Sequence, residues 1–519
     1  MFFKQEFRNG NISRLNIIFG LIEDHILLFT AFFSLLISAW LFVFSDIISR
    51  DSILYIEASQ AYLEGGISDT FKIYSWPFYS VLIASFHNFT SLSLEHSAYL
   101  LSAICELLIC VIFVKIYAKI AFHGAHNWVA AVFILSFEFF NSYRVDIIRD
   151  YGFWAFSLLA LYHFILYYQN NKKIDALLWQ ASISIAILFR PEAIVFAILA
   201  PLYFIIPTKN NSLYRIKNIL TLNSIFIFIG IALIILFFVS GQFQTIILNN
   251  LPTQIHYFSL QSISQNFNLA AENFVKYVLP FDYSARYAYL ILASGLITMI
   301  LVKIFGNFTL IYSGIFLTGI YNRWIEPKKE SKIIYYFASL SFLILLVFVS
   351  SRLFLSSRYT VFLILLLGLV FVQYLDYLIY YLHSKKKFLW LSLLFVFIFS
   401  QFLDGIIITA KKLPIKYISQ YTYENIPLDN KIACNDKRHV FYTHNNCKFK
   451  KRIKDNFNDN TSLELQQQGF DYLLIWVNRK NSDILHKLEN DDNLDLIKKY
   501  TNNRNDSSLL YKINKRNSQ

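Results

Sequence analysis

The residues of this chain that could do chemistry stand at the edges of long apolar runs. The first group is Arg50-Asp51-Ser52-Ile53-Leu54-Tyr55-Ile56-Glu57-Ala58-Ser59-Gln60-Ala61-Tyr62, a few residues after an apolar run from His25 to Ser45. Read as a helix, it places Asp51, Tyr55, Ala58 and Tyr62 on one face. A carboxylate held where a membrane span meets water can take the proton of an attacking hydroxyl. It can equally be a polar cap on an interfacial helix, because polar residues gather at such boundaries. Glu57 lies about a third of a helical turn from Asp51 and ranks below it.

Three further clusters share this character. Arg144-Val145-Asp146-Ile147-Ile148-Arg149-Asp150-Tyr151 packs acids and arginines into a few residues, as a catalytic loop or as a solvated turn. Arg190-Pro191-Glu192 interrupts an apolar stretch, where proline stops a helix and an Arg-Glu pair at membrane depth needs a partner or a watery cavity. Arg352 and Arg358-Tyr359 stand at another such edge. Planar guanidinium groups suit phosphate oxygens, although an arginine at a helix edge also snorkels to lipid headgroups. Glu106 and Glu138 fall inside apolar runs, as functional acids or as hydrogen bonds between helices. Asp376 and Asp404 read as interfacial, and His256 as a lone surface histidine. No His/Cys/Asp cluster has the spacing of a tight metal site, which leaves dependence on a divalent metal open, and no Gly-rich phosphate loop is present.

The elements that must position these groups are membrane helices. The chain has 519 residues, 56% hydrophobic and only 16% charged, which predicts a polytopic α-helical membrane protein. The net charge of +13 is then a matter of sidedness and not a sign of nucleic acid. After His25 to Ser45, apolar runs cover about Ala98–Ile120, Trp128–Asn141, Tyr151–Tyr168, Ala176–Phe189, Ala193–Ile206 and Ile219–Ser240. Later runs cover about Phe308–Trp324, Ile333–Val349, Thr360–Tyr380 and Phe388–Thr409. Trp76–Phe86 is too short to span, and Tyr287–Val302 could span or lie along the surface.

Loops rich in Lys and Arg alternate with loops that lack them. The N-terminus, Lys115/Lys119, Lys172/Lys173, Lys209/Arg215/Lys217, Lys328/Lys329/Lys332 and Lys385/Lys386/Lys387 form one set. Placing that set in the cytoplasm puts the N-terminus inside and every cluster named above outside, with about eleven spans. No cleavable signal peptide is evident, so the first span is expected to remain as an anchor. The expected division is a membrane domain over 1–410, with a first outer loop at 46–97, and a soluble α/β domain over 411–519 on the outer side. In that domain Lys431–Cys434, Tyr472–Val477 and Leu509–Ile513 read as strands and Ser482–Tyr500 as a helix. Cys434 and Cys447 share an oxidising compartment and could form a disulfide, whereas Cys105 and Cys110 read as packing residues.

Taken in order, these features resemble the GT-C fold glycosyltransferases, in the broad group of protein O-mannosyltransferases and aminoarabinose transferases. The resemblance rests on Asp51-Ser-Ile-Leu-Tyr55-Ile-Glu-Ala58 with Glu64-Gly65-Gly66, on Trp76-Pro77-Phe78-Tyr79, on Arg149-Asp150, and on Arg190-Pro191-Glu192 with Arg358-Tyr359. It covers roughly residues 20 to 410. It implies a sugar carried on a polyprenyl phosphate and handed to a glycan, lipid or protein acceptor at the outer face of a bacterial inner membrane. Asp51 would match the first-loop acid that acts as base or positions the acceptor hydroxyl, and Asp150 the second-loop acid. Arg190 and Arg358 would hold the lipid phosphate. Arg149, Glu192, Arg352, Tyr359, Lys72 and Tyr55 complete the expected substrate-binding set. Aminoarabinose transferases carry Glu-Lys before the proline of the first loop, where this chain has Ser75-Trp76, and Lys72 is near but not aligned. That departure puts transfer of aminoarabinose in doubt. The competing reading is a transporter or flippase for a lipid-linked or small anionic substrate, which predicts charges in mid-membrane, broken helices and repeat symmetry.

Overall fold

The computed structural model describes residues 23–45, 47–206, 212–230, 260–279, 281–407, 412–450, 453, 457 and 461–514. The N-terminal basic residues, Lys209, His256 and the second half of the run expected at Ile219–Ser240 lie outside these described residues.

The chain is a multi-pass membrane protein built of α-helices, with a small mixed sheet near its C-terminus. Six of the described helices are long and apolar enough to cross a membrane: Ile26–Phe44, Leu94–Ile120, Ala288–Asn307, Ser331–Arg352, Ser357–Ser384 and Phe388–Ile406. Asn127–Ser136, Pro191–Ile205 and Leu310–Tyr321 are shorter apolar helices. Asp150–Asn170 and Lys173–Phe189 are well-formed helices that pack along one another but carry Tyr, Gln, His and Asp among their apolar residues. The stretch Tyr287–Val302 belongs to a helix of 20 residues, long enough to span.

The segment between the first two long helices is mostly helical. Ser49 opens the helix Arg50–Ile73 by accepting the backbone N–H of Ser52, the usual role of an N-cap serine. That helix breaks at Gly66, whose φ of 74° and ψ of −161° lie in a region essentially reserved for glycine. Pro77 then starts the helix Phe78–Thr90, and Trp76 donates its indole N–H to the carbonyl of Leu188 at 2.6 Å. This bond ties the segment to the end of Lys173–Phe189.

One continuous apolar core runs through the membrane helices, dominated by buried aromatics such as Phe113, Phe133, Phe164, Trp154 and Trp179. The C-terminal region has its own cores. Ala433, Leu473, Ile475, Leu509 and Tyr511 pack on one side of its sheet, and Ile418, Cys434, Leu474 and Leu510 on the other. The five strands are β1 (Ile432–Cys434), β2 (Cys447–Phe449), β3 (Tyr472–Val477), β4 (Leu494–Thr501) and β5 (Ser507–Ile513), in the order β2-β1-β3-β5-β4. β1 pairs parallel with β2 and β3, and β5 pairs antiparallel with β3 and β4. A Cys434–Cys447 disulfide joins the ends of β1 and β2.

One expectation fails here. The helix expected over Ser482–Tyr500 ends at Glu489, and Leu494–Thr501 is an edge strand. The cause lies in Asn490-Asp491-Asp492-Asn493. The Asp491 side chain accepts the N–H of Asn493 and its carbonyl accepts the N–H of Leu494, a local turn that competes with helix.

Candidate active site

Five separate segments converge on one cavity of about 260 Å³. Its lining is Asp51, Leu54 and Tyr55 from the helix after the first span, and Tyr74 just beyond that helix. Arg149 and Asp150 come from the start of Asp150–Asn170, and Arg190 and Glu192 from the proline break. Phe348, Ser351 and Arg352 come from the end of Ser331–Arg352, and Arg358 and Tyr359 from the short 3-10 turn that follows. Of the ten candidate residues named from the sequence, nine line this cavity. Lys72 does not: it is exposed and paired with Asp69 one turn away.

Local backbone chemistry aims these side chains. Arg190 precedes proline and is forced out of the helical region, with φ −143° and ψ 121°. The chain therefore turns at Arg190, and its side chain reaches Asp150. Close approach of the two segments needs Gly152, where an added Cβ would lie 2.2 Å from the ring of Phe189. The guanidinium of Arg190 stacks at 4.8 Å over the ring of Tyr359 and at 5.6 Å over Phe153.

The charges form a chain. Arg190 donates to Asp150 Oδ1 and, through a second nitrogen, to Glu192 Oε1 at 2.7 Å. Arg358 lies 3.5 Å from Asp150 Oδ2 and donates to Asp51 Oδ2 at 2.7 Å. Asp150 is thus buried between two arginines, with its side chain only 2% exposed. The side chain of Glu192 is 10% exposed and that of Asp51 is 54% exposed. The distinction is functional in kind. A buried carboxylate with guanidinium groups on both oxygens holds those groups in place, because removing either partner leaves an uncompensated charge. Asp51 alone among the three acids combines an arginine contact with open access to the cavity.

Four arginines face three carboxylates in the lining, so the cavity is net positive and suited to an anion. Arg149 also lies over the ring of Tyr74 at 5.5 Å. Burial pushes the Tyr55 hydroxyl well above its ordinary value, so it stays protonated and can donate a hydrogen bond but not act as a base. Beside the cavity, in the loop before Asp150, burial raises the Asp146 carboxyl to about 6 against the opposing pull of Arg358. Among the described residues, no group of three or more His, Cys, Asp or Glu side chains could hold a metal ion.

Arg144, read with this cluster in the sequence, points elsewhere. It is buried and donates to Ser38 Oγ at 2.7 Å, to the carbonyl of Ser34 at 3.0 Å and to Glu106 Oε2 at 3.3 Å. Ser38 donates to the same Glu106 oxygen at 2.6 Å. The intramembrane acid Glu106 is therefore part of a clamp joining the helices Ile26–Phe44 and Leu94–Ile120 to the Arg144 loop. Tyr74, Leu54, Phe348 and Ser351 were not singled out in the sequence. For Tyr74 the available signal was its place beside Trp76-Pro77, which docks it over Arg149.

No family model matches the sequence, and no curated protein does. Among solved structures, the chain is similar to the crystal structure of ArnT from Cupriavidus metallidurans in the apo state. The two share 11% identity over 91% of this chain and 96% of that one, with a TM-score of 0.37. A likeness of that degree carries no weight for function, which rests on the cavity itself.

Proposed function

We propose that this chain is a membrane glycosyltransferase of the GT-C type, which moves a sugar from a polyprenyl-phosphate donor to an acceptor hydroxyl. The observation that carries the reading is the convergence of Asp51, Asp150, Arg190, Glu192 and Arg358 on a single net-positive cavity at the ends of membrane helices. A lipid-linked donor presents its phosphate at that depth and leaves its tail in the bilayer.

Each group has a distinct task. Asp51 accepts the proton of the acceptor hydroxyl as its oxygen attacks the anomeric carbon. The bond from that carbon to the phosphate oxygen breaks with inversion, and the polyprenyl phosphate departs with the bonding electron pair. The growing negative charge meets Arg190 and Arg358, which are fixed before the reaction and need no reorganisation. Asp150 and Glu192 hold those two guanidinium groups in place, and Arg149, Arg352 and Tyr359 complete the wall. The phosphate is a good leaving group and needs little acid assistance. The positive loops named from the sequence support placing the N-terminus in the cytoplasm of a bacterial cell and the C-terminal domain on the opposite side. The disulfide in that domain agrees with an oxidising compartment.

The test is consumption of a panel of labelled polyprenyl-phosphate sugars by the full chain in its native membranes, which supply candidate acceptor hydroxyls, with release of polyprenyl phosphate as the readout. Wild type should consume at least one donor, and Arg190→Gln should lower kcat/KM for it. A wild-type chain that consumes none, yet carries such lipids across a vesicle membrane, supports transport and contradicts transfer.

A further inference from the structure

The start of the Asp51 helix is held from two sides, and one of them is the C-terminal region. On the membrane side, Ser52 Oγ accepts the N–H of Ile147 at 3.0 Å and donates to its carbonyl at 3.1 Å. Ser49 Oγ lies 2.7 Å from Ser52 Oγ. On the other side, Arg50 makes an ion pair with Asp436, a residue 386 positions later in the chain. The hydroxyl of Tyr442 accepts the backbone N–H of Ile48 at 2.9 Å. Asp436 is itself fixed: its two oxygens accept the Arg438 guanidinium at 2.9 and 2.7 Å, and it caps the short helix Lys437–Tyr442.

We infer that Arg50, gripped by Asp436 of the C-terminal region, is a positioning residue for Asp51, so that the C-terminal region sets the geometry of the proton acceptor. Arg50 and Asp51 are consecutive in the first turn of one helix, and their side chains leave it in different directions. Arg50 reaches the C-terminal region while Asp51 reaches Arg358 at 2.7 Å. With both side chains held, the first turn cannot rotate about the helix axis without breaking one contact. Without the Arg50 grip, the turn keeps its bonds to Ile147 and Tyr442, and the half-exposed Asp51 side chain is left with Arg358. Misplacement of a reacting group by about 1 Å can cost on the order of 100-fold in rate. The inference rests on the transferase reading for its kinetic consequence, but not for the grip itself.

The test replaces Arg50 and not Asp436, because Arg438 keeps Asp436 paired and the C-terminal fold intact. Arg50→Gln should lower kcat by about 10- to 100-fold with the donor KM within twofold of wild type, since the phosphate-facing arginines sit on other elements. Arg50→Lys, which keeps the charge, should recover most of the loss. Amide hydrogen exchange on the same full-length variant should quicken over residues 48–54 and stay unchanged over the sheet strands. A kcat for Arg50→Gln within twofold of wild type overturns the inference, and so does unchanged exchange over 48–54. A merely structural role would instead disturb the sheet strands or raise KM and lower kcat together. If wild type consumes no donor, the transferase reading fails by itself, and exchange alone decides whether the grip exists.

Discussion

Arg358 and Asp51 are 307 residues apart in the chain, and their side chains meet at 2.7 Å on the wall of one cavity. The same guanidinium lies 3.5 Å from the buried Asp150. One arginine therefore links the accessible acid to the chain of buried charge behind it. This makes Arg358 the hinge between the proton acceptor and the phosphate-facing wall.

Arg358→Lys tests that link. A compact ammonium cannot contact Asp51 and Asp150 together as the planar fork does. We expect kcat to fall by about 100-fold or more, the scale seen when one preorganised donor to a developing anion is lost. Steady-state kinetics with the donor that wild type uses would measure it. Near-normal turnover in the lysine variant would reduce Arg358 to a simple counter-charge.

Asp150→Asn and Asp51→Asn should separate scaffold from chemistry. Asp150 is buried between two arginines, so its loss should destabilise the fold by about 3–5 kcal/mol as well as impair activity. Asp51 is half exposed, and loss of its ion pair should cost about 0–1 kcal/mol. Thermal unfolding of the two variants side by side reads the contrast. Equal stability losses would show that Asp150 is not the structural centre of the cluster.

The sequence made much of this legible because the key signals are local. Arg190-Pro191-Glu192 announces a broken helix by its proline alone, and β3 is found where Tyr472–Val477 is a short continuous apolar run. The partners were harder. Arg144 looks like a member of the Arg149-Asp150 cluster because it is close in sequence, yet its ligands Ser34, Ser38 and Glu106 sit on two other helices. Lys72 follows the same logic in reverse: it is near the right loop in sequence, yet its side chain is exposed and paired with Asp69. The edge strand Leu494–Thr501 resembles a helix in the sequence because apolar residues in a short amphipathic segment fit both periods. The buried role of Asp150 is a property of three segments meeting, which no single stretch of sequence contains.

The C-terminal region should lose stability in mild acid through His439. Burial lowers this imidazole to about 3, while Asp436 and Arg438 oppose one another in their effect on it. The sign follows directly. The unfolded chain takes up the proton below about 6.5 and the folded one does not, so stability is full above that pH and falls as pH drops. At pH 5 the loss should be about 2 kcal/mol. Asp436, held below the usual carboxylate range by Arg438 and Arg50, contributes its own loss only below about pH 4. His439→Gln should flatten the unfolding curve between pH 7 and 5, and an unchanged slope would remove His439 as its origin.

The Cys434–Cys447 bridge closes a short loop between β1 and β2. Its reduction should destabilise the C-terminal region by about 3 kcal/mol, read by thermal unfolding with and without reductant. A cysteine placed at the exposed Asp429 should react with a membrane-impermeant maleimide in intact cells. Reaction only after the cells are opened would invert the topology and move the cavity to the cytoplasmic side.

Asp51 takes the acceptor's proton in the proposed reaction. The measurement is single-turnover release of polyprenyl phosphate by Asp51→Asn against wild type, with donor bound to saturation and the same acceptor-bearing membranes in both. Release should slow by about 100-fold or more while donor affinity stays within twofold, because the phosphate-binding arginines remain in place. Release at the wild-type rate would exclude Asp51 as the base and leave it as one polar residue among several at the end of a membrane span.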